Sequence, residues 1–177
     1  MQFFIEVFIF FTFGAIFGSF LNVVILRFNT GSTLLDRSGC FSCGTTLSVV
    51  ELIPILSFLA QKGRCKKCES KIFCQYPIVE FVSGVLLVLI SFKSGLIGNL
   101  SINLLLPTLF YYIIFAVLLV VSVYDLKHKI IPDFFVYIFI TFSFLIAIAR
   151  HLGFENVIAT GTFIQDILVG PFFALLF

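Results

Sequence analysis

Five cysteines stand in this chain of 177 residues, and four of them form two Cys-x-x-Cys pairs. The first pair is Cys40 and Cys43 and the second is Cys65 and Cys68, with 21 residues between the pairs. A Cys-x-x-Cys loop directs both of its sulfurs at one tetrahedral ion, and two such loops complete a four-thiolate Zn²⁺ shell. The gap is slightly longer than the usual zinc-ribbon range, which a loop absorbs. The competing reading is two separate thiol pairs or disulfides. Cys74 falls outside the pattern and reads as a lone, unligated thiol.

Carboxylates are the second group with chemical potential. Asp125 closes a long apolar run, where a carboxylate is partly desolvated and suited to acid/base work. An ordinary interfacial charge beside Lys127 and Lys129 is the equal alternative. Asp133 follows Pro132 and reads as an N-terminal cap of the next helix. Eight residues containing a proline do not reliably bring Asp125 and Asp133 together as a proton-sharing pair. Glu80 sits one turn into an apolar run. His128 has no nucleophile partner and reads as a solvated loop side chain.

The elements that must position these groups are membrane spans. Hydrophobic residues make up 60% of the chain, 26 residues are Phe, and only 11% are charged. Mean hydropathy is +1.19. No soluble domain of this size needs so much apolar surface, so the composition predicts an integral membrane protein. The net charge of +2 matters less than its distribution, and basic residues beside membrane spans leave no nucleic-acid footprint.

A span needs about 20 apolar residues. The first, within residues 1–26, carries Glu6 near its outer end and Gly14, Gly18 and Ser19 at a spacing for close helix packing. No basic residue precedes it, so a signal peptide fits poorly. Asn22 reads as a polar residue bonded to a neighbouring helix or backbone. Residues 27–76 form the long polar segment and hold seven of the 11 basic residues, which assigns this insert to the cytoplasm and the N-terminus to the outside. Reduced cytoplasmic thiols favour zinc over disulfides. Within the insert, residues 47–60 are apolar but too short to span. They pack under the metal site or lie on the membrane surface. An insert this small gains from a metal staple.

Residues 77–177 supply the remaining spans. The second runs from about Pro77 to Phe92, the third from about Asn103 to Tyr124, and the fourth from about Phe134 to Ala149. Residues 125–133 form a cytoplasmic turn and 150–165 an outer loop. Residues 166–177 begin a fifth span of about 18 Å, short of the ~30 Å hydrocarbon core. No internal repeat is apparent. The expected fold is an all-α polytopic membrane protein: four transmembrane helices and a partial fifth, with a small cytoplasmic zinc-ribbon-like insert.

Several short motifs in one order now carry a resemblance. They are Gly18-Ser-Phe-Leu-Asn-Val-Val-Ile-Leu-Arg27, the two cysteine pairs, Glu51-Leu-Ile-Pro-Ile-Leu-Ser57, Gly63-Arg-Cys-Lys-Lys-Cys68, Tyr76-Pro-Ile-Val-Glu80 and the segment Asp125 to Asp133. Across some two-thirds of its length the chain resembles the type IV prepilin peptidases of bacterial pilus, type II secretion and competence systems. The resemblance implies a multi-pass enzyme of the bacterial inner (cytoplasmic) membrane, working on prepilins or pseudopilins. It would remove the leader peptide on the cytoplasmic side, after a Gly. It would then methylate the new N-terminal residue with S-adenosylmethionine. It implies aspartic-type cleavage, with Asp125 as one of two catalytic aspartates, one activating water and the other protonating the leaving amine. The cysteine insert is implied for the methyltransferase half, and Glu80 matches a motif position.

The second aspartate of the family lies in a Gly-x-Gly-Asp motif, and none occurs here; Gly161, Asp166 and Gly170 do not compose one. Phe41 stands where Pro is common, and no Trp precedes Glu51. The expectation is a truncated chain or a natural remnant that does not complete two-aspartate chemistry by itself. Two other classes stay open: a zinc-bearing subunit that docks prepilins or secretion components without cutting them, and a methyltransferase-only remnant. No glycine-rich nucleotide loop marks a methyl-donor pocket.

Overall fold

A computed structural model describes residues 1–30, 33 and 36–151. Its elements in order are α1 (Gln2–Arg27), a 3₁₀ turn (Val49–Leu52), α2 (Leu56–Ala60), α3 (Gln75–Lys93), α4 (Ile102–His128) and α5 (Asp133–His151). Among the described residues there is no β-strand, only two isolated bridges within the cysteine insert. Among the described residues three helices, α1, α3 and α4, are long and apolar enough to cross a membrane. At 1.5 Å per residue the 19 residues of α3 rise about 28 Å, close to a hydrocarbon thickness. α5 occupies the place of the fourth expected span, with a shorter described apolar stretch, Asp133–Leu145. The expected fifth span and Asp166 lie outside the described residues, as does the expected outer loop beyond His151.

The long side of α1 packs against α3, the largest helix–helix contact of the fold. Glycines make it possible. A Cβ on Gly14 would stand 2.7 Å from the Ser83 carbonyl oxygen, and one on Gly18 would stand 2.8 Å from Glu80 Cα. Gly84 answers from α3, where a Cβ would meet the Phe11 ring at 2.8 Å. Backbones this close gain dispersion contacts that lipid cannot match, which drives helix association in a bilayer. Outside this seam the helices present Phe and Ile side chains such as Phe4, Phe8 and Phe20, all at least half exposed. In lipid such exposure needs no other explanation.

Buried polar groups pin the seam. Ser83 Oγ donates to the Gly14 carbonyl at 2.8 Å and is hydrogen-bonded to Tyr112 Oη of α4 at 2.7 Å. One buried cluster thus ties three helices. Asn22 Nδ2 donates to the Tyr76 carbonyl at 3.1 Å, the backbone partnership expected of it. At the end distal to the insert, Glu6 accepts the Gly98 N–H at 2.7 Å and so holds the α3–α4 loop.

Two boundaries differ from the sequence expectation. α3 begins at Gln75 with Cys74 as its N-cap, so Pro77 lies inside the first turn, where its missing N–H has no helical acceptor to lose. α4 continues past Tyr124 to His128, so Asp125 belongs to its last turn. Lys129 then takes a left-handed conformation (φ +54°) and its N–H donates to the Asp125 carbonyl at 2.6 Å, which ends the helix. His128 is therefore helical and not a loop side chain. Its ring stacks on Tyr124 with centroids 4.4 Å apart.

Candidate functional site

The four cysteines of the two pairs converge. Cys40, Cys43, Cys65 and Cys68 bring their sulfurs within 4.8 Å of one another, and Cys40 Sγ and Cys68 Sγ are 3.7 Å apart. Zn–S bonds of about 2.3 Å in a tetrahedron place sulfurs about 3.8 Å apart, so this donor set fits one zinc ion. Cys74 stays outside the cluster, exposed at the start of α3.

The two knuckles are built alike, 25 positions apart. The Cys40 carbonyl accepts the Gly44 N–H at 2.9 Å, and the Cys65 carbonyl accepts the Glu69 N–H at 2.9 Å. Cys40 N–H donates to Thr45 and Cys65 N–H donates to Ser70, both at 2.9 Å. Leu47 N–H reaches Ser38, and Ile72 N–H reaches Gly63, both at 2.8 Å. Each knuckle turns through a left-handed residue after its second cysteine, Gly44 at φ +67° and Glu69 at φ +56°. An internal repeat therefore exists where none was expected. It rests on backbone hydrogen bonds, and the sequences share little beyond the cysteines and the hydroxyl after them.

That hydroxyl is the part sequence reasoning missed. Thr45 Oγ1 lies 3.3 Å from Cys43 Sγ, and Ser70 Oγ lies 3.1 Å from Cys68 Sγ and 3.5 Å from Cys40 Sγ. The shared Cys-x-x-Cys-x-Thr/Ser pattern was the available signal. The Ser70 hydroxyl, followed by the Cys43 and Ser42 backbone amides, pulls the Cys40 thiol down to about 6. Thr45 does the same in direction for Cys43. Cys65 goes the other way. The Cys68 and Lys67 backbone amides favour its thiolate, but burial and the Cys40 and Cys68 sulfurs outweigh them. A bound cation would deprotonate all four and supply the charge this crowded set lacks.

The insert is latched to the membrane helices by Glu80. This carboxylate is only 6% exposed, and its Oε2 accepts the Ile55 N–H at 2.7 Å. Ile55 has φ +62°, a conformation that opposes a β-branched side chain. With Leu56 N–H donating to the Pro54 carbonyl at 2.5 Å, residues 54–56 form a γ-turn of the rare, strained kind. The 3₁₀ turn before it is held by Glu51, whose Oε2 accepts both the Ser48 N–H and the Ser48 hydroxyl at 2.8 Å. Lys66 from the second knuckle lies 3.6 Å from Glu51 Oε1. The apolar residues 47–60 thus bridge the knuckles and the span that bears Glu80.

The last turn of α4 lies at the insert end of the bundle. Phe28, just after α1, packs its ring against Tyr124 and Phe135 at 5.5 and 4.8 Å. Ile25, Val79, Val120 and Phe135 form one buried cluster beneath them. Asp125, half-buried, follows Tyr124 directly. Asp133 is exposed in the first turn of α5, where its charge suits the helix N-terminus. The two aspartates border the same short turn.

Helices long and apolar enough to span a bilayer, with a four-cysteine insert at one end, define a membrane protein whose insert could hold a metal ion. Residues 12–94 match the family described as the bacterial peptidase A24 N-terminal domain. The chain is 36% identical over 135 residues to a prepilin leader peptidase/N-methyltransferase of Bacillus subtilis (strain 168), covering 76% of this chain and 51% of that protein. It is 35% identical over 144 residues to a type 4 prepilin-like proteins leader peptide-processing enzyme of Escherichia coli O78:H11, covering 69% and 49%. For a prepilin leader peptidase/N-methyltransferase of Pseudomonas aeruginosa the identity is 29% over 164 residues, covering 79% and 53%. No solved structure gave a significant match. Over most of its length the chain is thus similar to prepilin leader peptidases. It spans about half the length of the curated relatives it matches.

Proposed function

We propose that this protein removes leader peptides from type IV prepilins or pseudopilins and N-methylates the residue so exposed. The observation that carries this reading is the joint placement of the four-cysteine insert and Asp125 at one end of the bundle. A substrate emerging from the bilayer at that end meets both. The names of the relatives support the two activities.

In this reading the end bearing the insert is cytoplasmic, as the seven basic residues between Arg27 and Lys71 favour. The membrane is the bacterial inner membrane. Cys40, Cys43, Cys65 and Cys68 hold zinc as a structural staple. S-adenosylmethionine is the methyl donor. Asp125 acts in aspartic-type cleavage as one of a carboxylate pair. The family's second aspartate, in a Gly-x-Gly-Asp motif, does not occur among these residues. Asp133 serves as a helix-terminal charge. Glu80 positions the insert through the Ile55 N–H.

The test uses the full-length natural protein with a purified prepilin in detergent micelles. Asp125→Asn should abolish leader release while leaving zinc content and methylation of a pre-cleaved substrate intact. Leader release at the wild-type rate by that variant would refute the assignment of Asp125.

A further inference from the structure

The short helix α2 has two unlike sides. Ser57, Phe58 and Gln61 line a cavity of about 620 Å³ between the insert and the ends of α1 and α3. Leu56 and Leu59, three positions apart and so on one side of the helix, turn outward, and each is 64% exposed. The 3₁₀ turn before α2 extends this outer surface with Val49, 83% exposed, and Val50, 65% exposed. Apolar side chains gathered on one exposed surface mark a contact with something other than water.

The depth of the segment says what that something is. The Ile55 N–H, just before α2, is bonded to Glu80 at 2.7 Å. Glu80 is the sixth residue of α3, so it lies about 7.5 Å along the helix from Gln75. On α1 the same level is deeper: Glu80 Cα packs against Gly18, nine residues or about 13 Å before Arg27. A segment tied to that level lies beside the ends of the spans, not above them. The neighbouring span residues at this level, Phe20 on α1 and Ile78 and Phe81 on α3, are each at least half exposed on the lipid side. The outer surface of the insert is continuous with that lipid-facing surface. Charge agrees with this placement. Lys62 and Arg64 follow α2 directly and are exposed, and from Val49 to Ile72 five basic residues outnumber two acidic ones, Glu51 and Glu69. Amphipathic elements with basic flanks lie in the plane of a bilayer interface, their apolar side sunk about 5–10 Å and their cations at anionic headgroups.

We infer that residues 49–60 are immersed in the interface of an anionic phospholipid leaflet, with Val49, Val50, Leu56 and Leu59 among the first acyl carbons and Lys62 and Arg64 at the lipid phosphates. The insert is then part of the membrane face of the protein. The bond to Glu80 sets how deep it sits, and α2 separates the cavity behind it from lipid.

The chain contains no tryptophan, so a single one introduced into it reports its own surroundings. The test places Leu59→Trp, and independently Val49→Trp, in the full chain reconstituted in vesicles of mixed phosphatidylcholine and phosphatidylglycerol. Both positions are exposed, so the larger ring needs no room inside the fold. Emission should shift to the blue and resist quenching by aqueous acrylamide. Lipids brominated near the headgroup end of the acyl chain should quench it more than lipids brominated at the chain terminus. Adding Lys62→Glu and Arg64→Glu together should raise acrylamide quenching in the mixed vesicles and leave it unchanged in phosphatidylcholine alone. Quenching by acrylamide with none by brominated lipid would put the surface in water and overturn the inference. Protection from both would mean that protein covers it, a second copy or a partner, and would overturn it equally. Charge reversal without effect in the mixed vesicles would overturn the headgroup contact.

Discussion

Replacing Gly18 by alanine should loosen the insert, although Gly18 lies in a different helix from the group that holds it. A Cβ there would stand 2.8 Å from both Glu80 Cα and Ser83 Cβ and 3.1 Å from the Val79 carbonyl. Carbon atoms prefer about 3.5–4.0 Å, so α3 must recede by roughly 1 Å. The contacts are with backbone and a Cβ, which no rotamer change relieves. Overpacking of this kind costs about 1–3 kcal/mol. The same displacement would stretch the 2.7 Å bond from Ile55 N–H to Glu80 toward about 3.7 Å, beyond useful reach. Its loss adds about 1 kcal/mol. Freed from Glu80, the γ-turn would lose the one side-chain hydrogen bond that its Ile55 N–H makes. The assay is amide hydrogen exchange in micelles alongside the thermal midpoint. Exchange at Ile55 should quicken about ten-fold or more, since about 1.4 kcal/mol is a factor of ten. Phe20→Ala, half exposed on the lipid side of α1, is the control. An alanine variant with wild-type midpoint and wild-type exchange at Ile55 would refute the reasoning.

Metal analysis of the purified chain should find about one zinc ion, and Cys65→Ser should lose it and expose the insert to protease; unchanged metal content in that variant would end the zinc assignment. Ser83→Ala and Tyr112→Phe should each cost about 1 kcal/mol, yet their double variant should cost less than the sum, because both hydroxyls serve the Gly14 carbonyl. Strict additivity in the unfolding midpoints would contradict the shared cluster. The Ser48 backbone amide, then the Ser48 hydroxyl and Lys66, hold Glu51 below its ordinary 4.5. Its stabilising contribution is therefore full above that value and fades as pH falls through the lowered one. Glu51→Gln should flatten the low-pH arm of insert unfolding, followed by proteolysis; an arm of unchanged steepness would remove Glu51 as its cause.

Much of this protein was legible along the chain, for definite reasons. Apolar runs of span length declare themselves by composition, because a bilayer demands that every backbone group be satisfied within the segment. The cysteine spacing pointed to a four-sulfur cluster, since a Cys-x-x-Cys loop has few ways to present two sulfurs. The helix-packing glycines were visible from their four-residue spacing on α1. Helix ends were less legible. The polar residues after Tyr124 looked like a loop, yet α4 runs on until Lys129 turns left-handed, because an αL cap leaves no clear mark at a lysine. The knuckle repeat was hidden because hydrogen bonds between backbone atoms carry no side-chain signature. Only the tertiary structure decided what Glu80 and Ile55 do. Glu80 and Ile55 are 25 residues apart, and their bond depends on how closely Gly18 lets α3 approach α1. A sequence determines which groups exist and the period at which they recur. Their meeting across separate elements is set by the packing distance between helices, and here three glycines without side chains, Gly14, Gly18 and Gly84, set that distance.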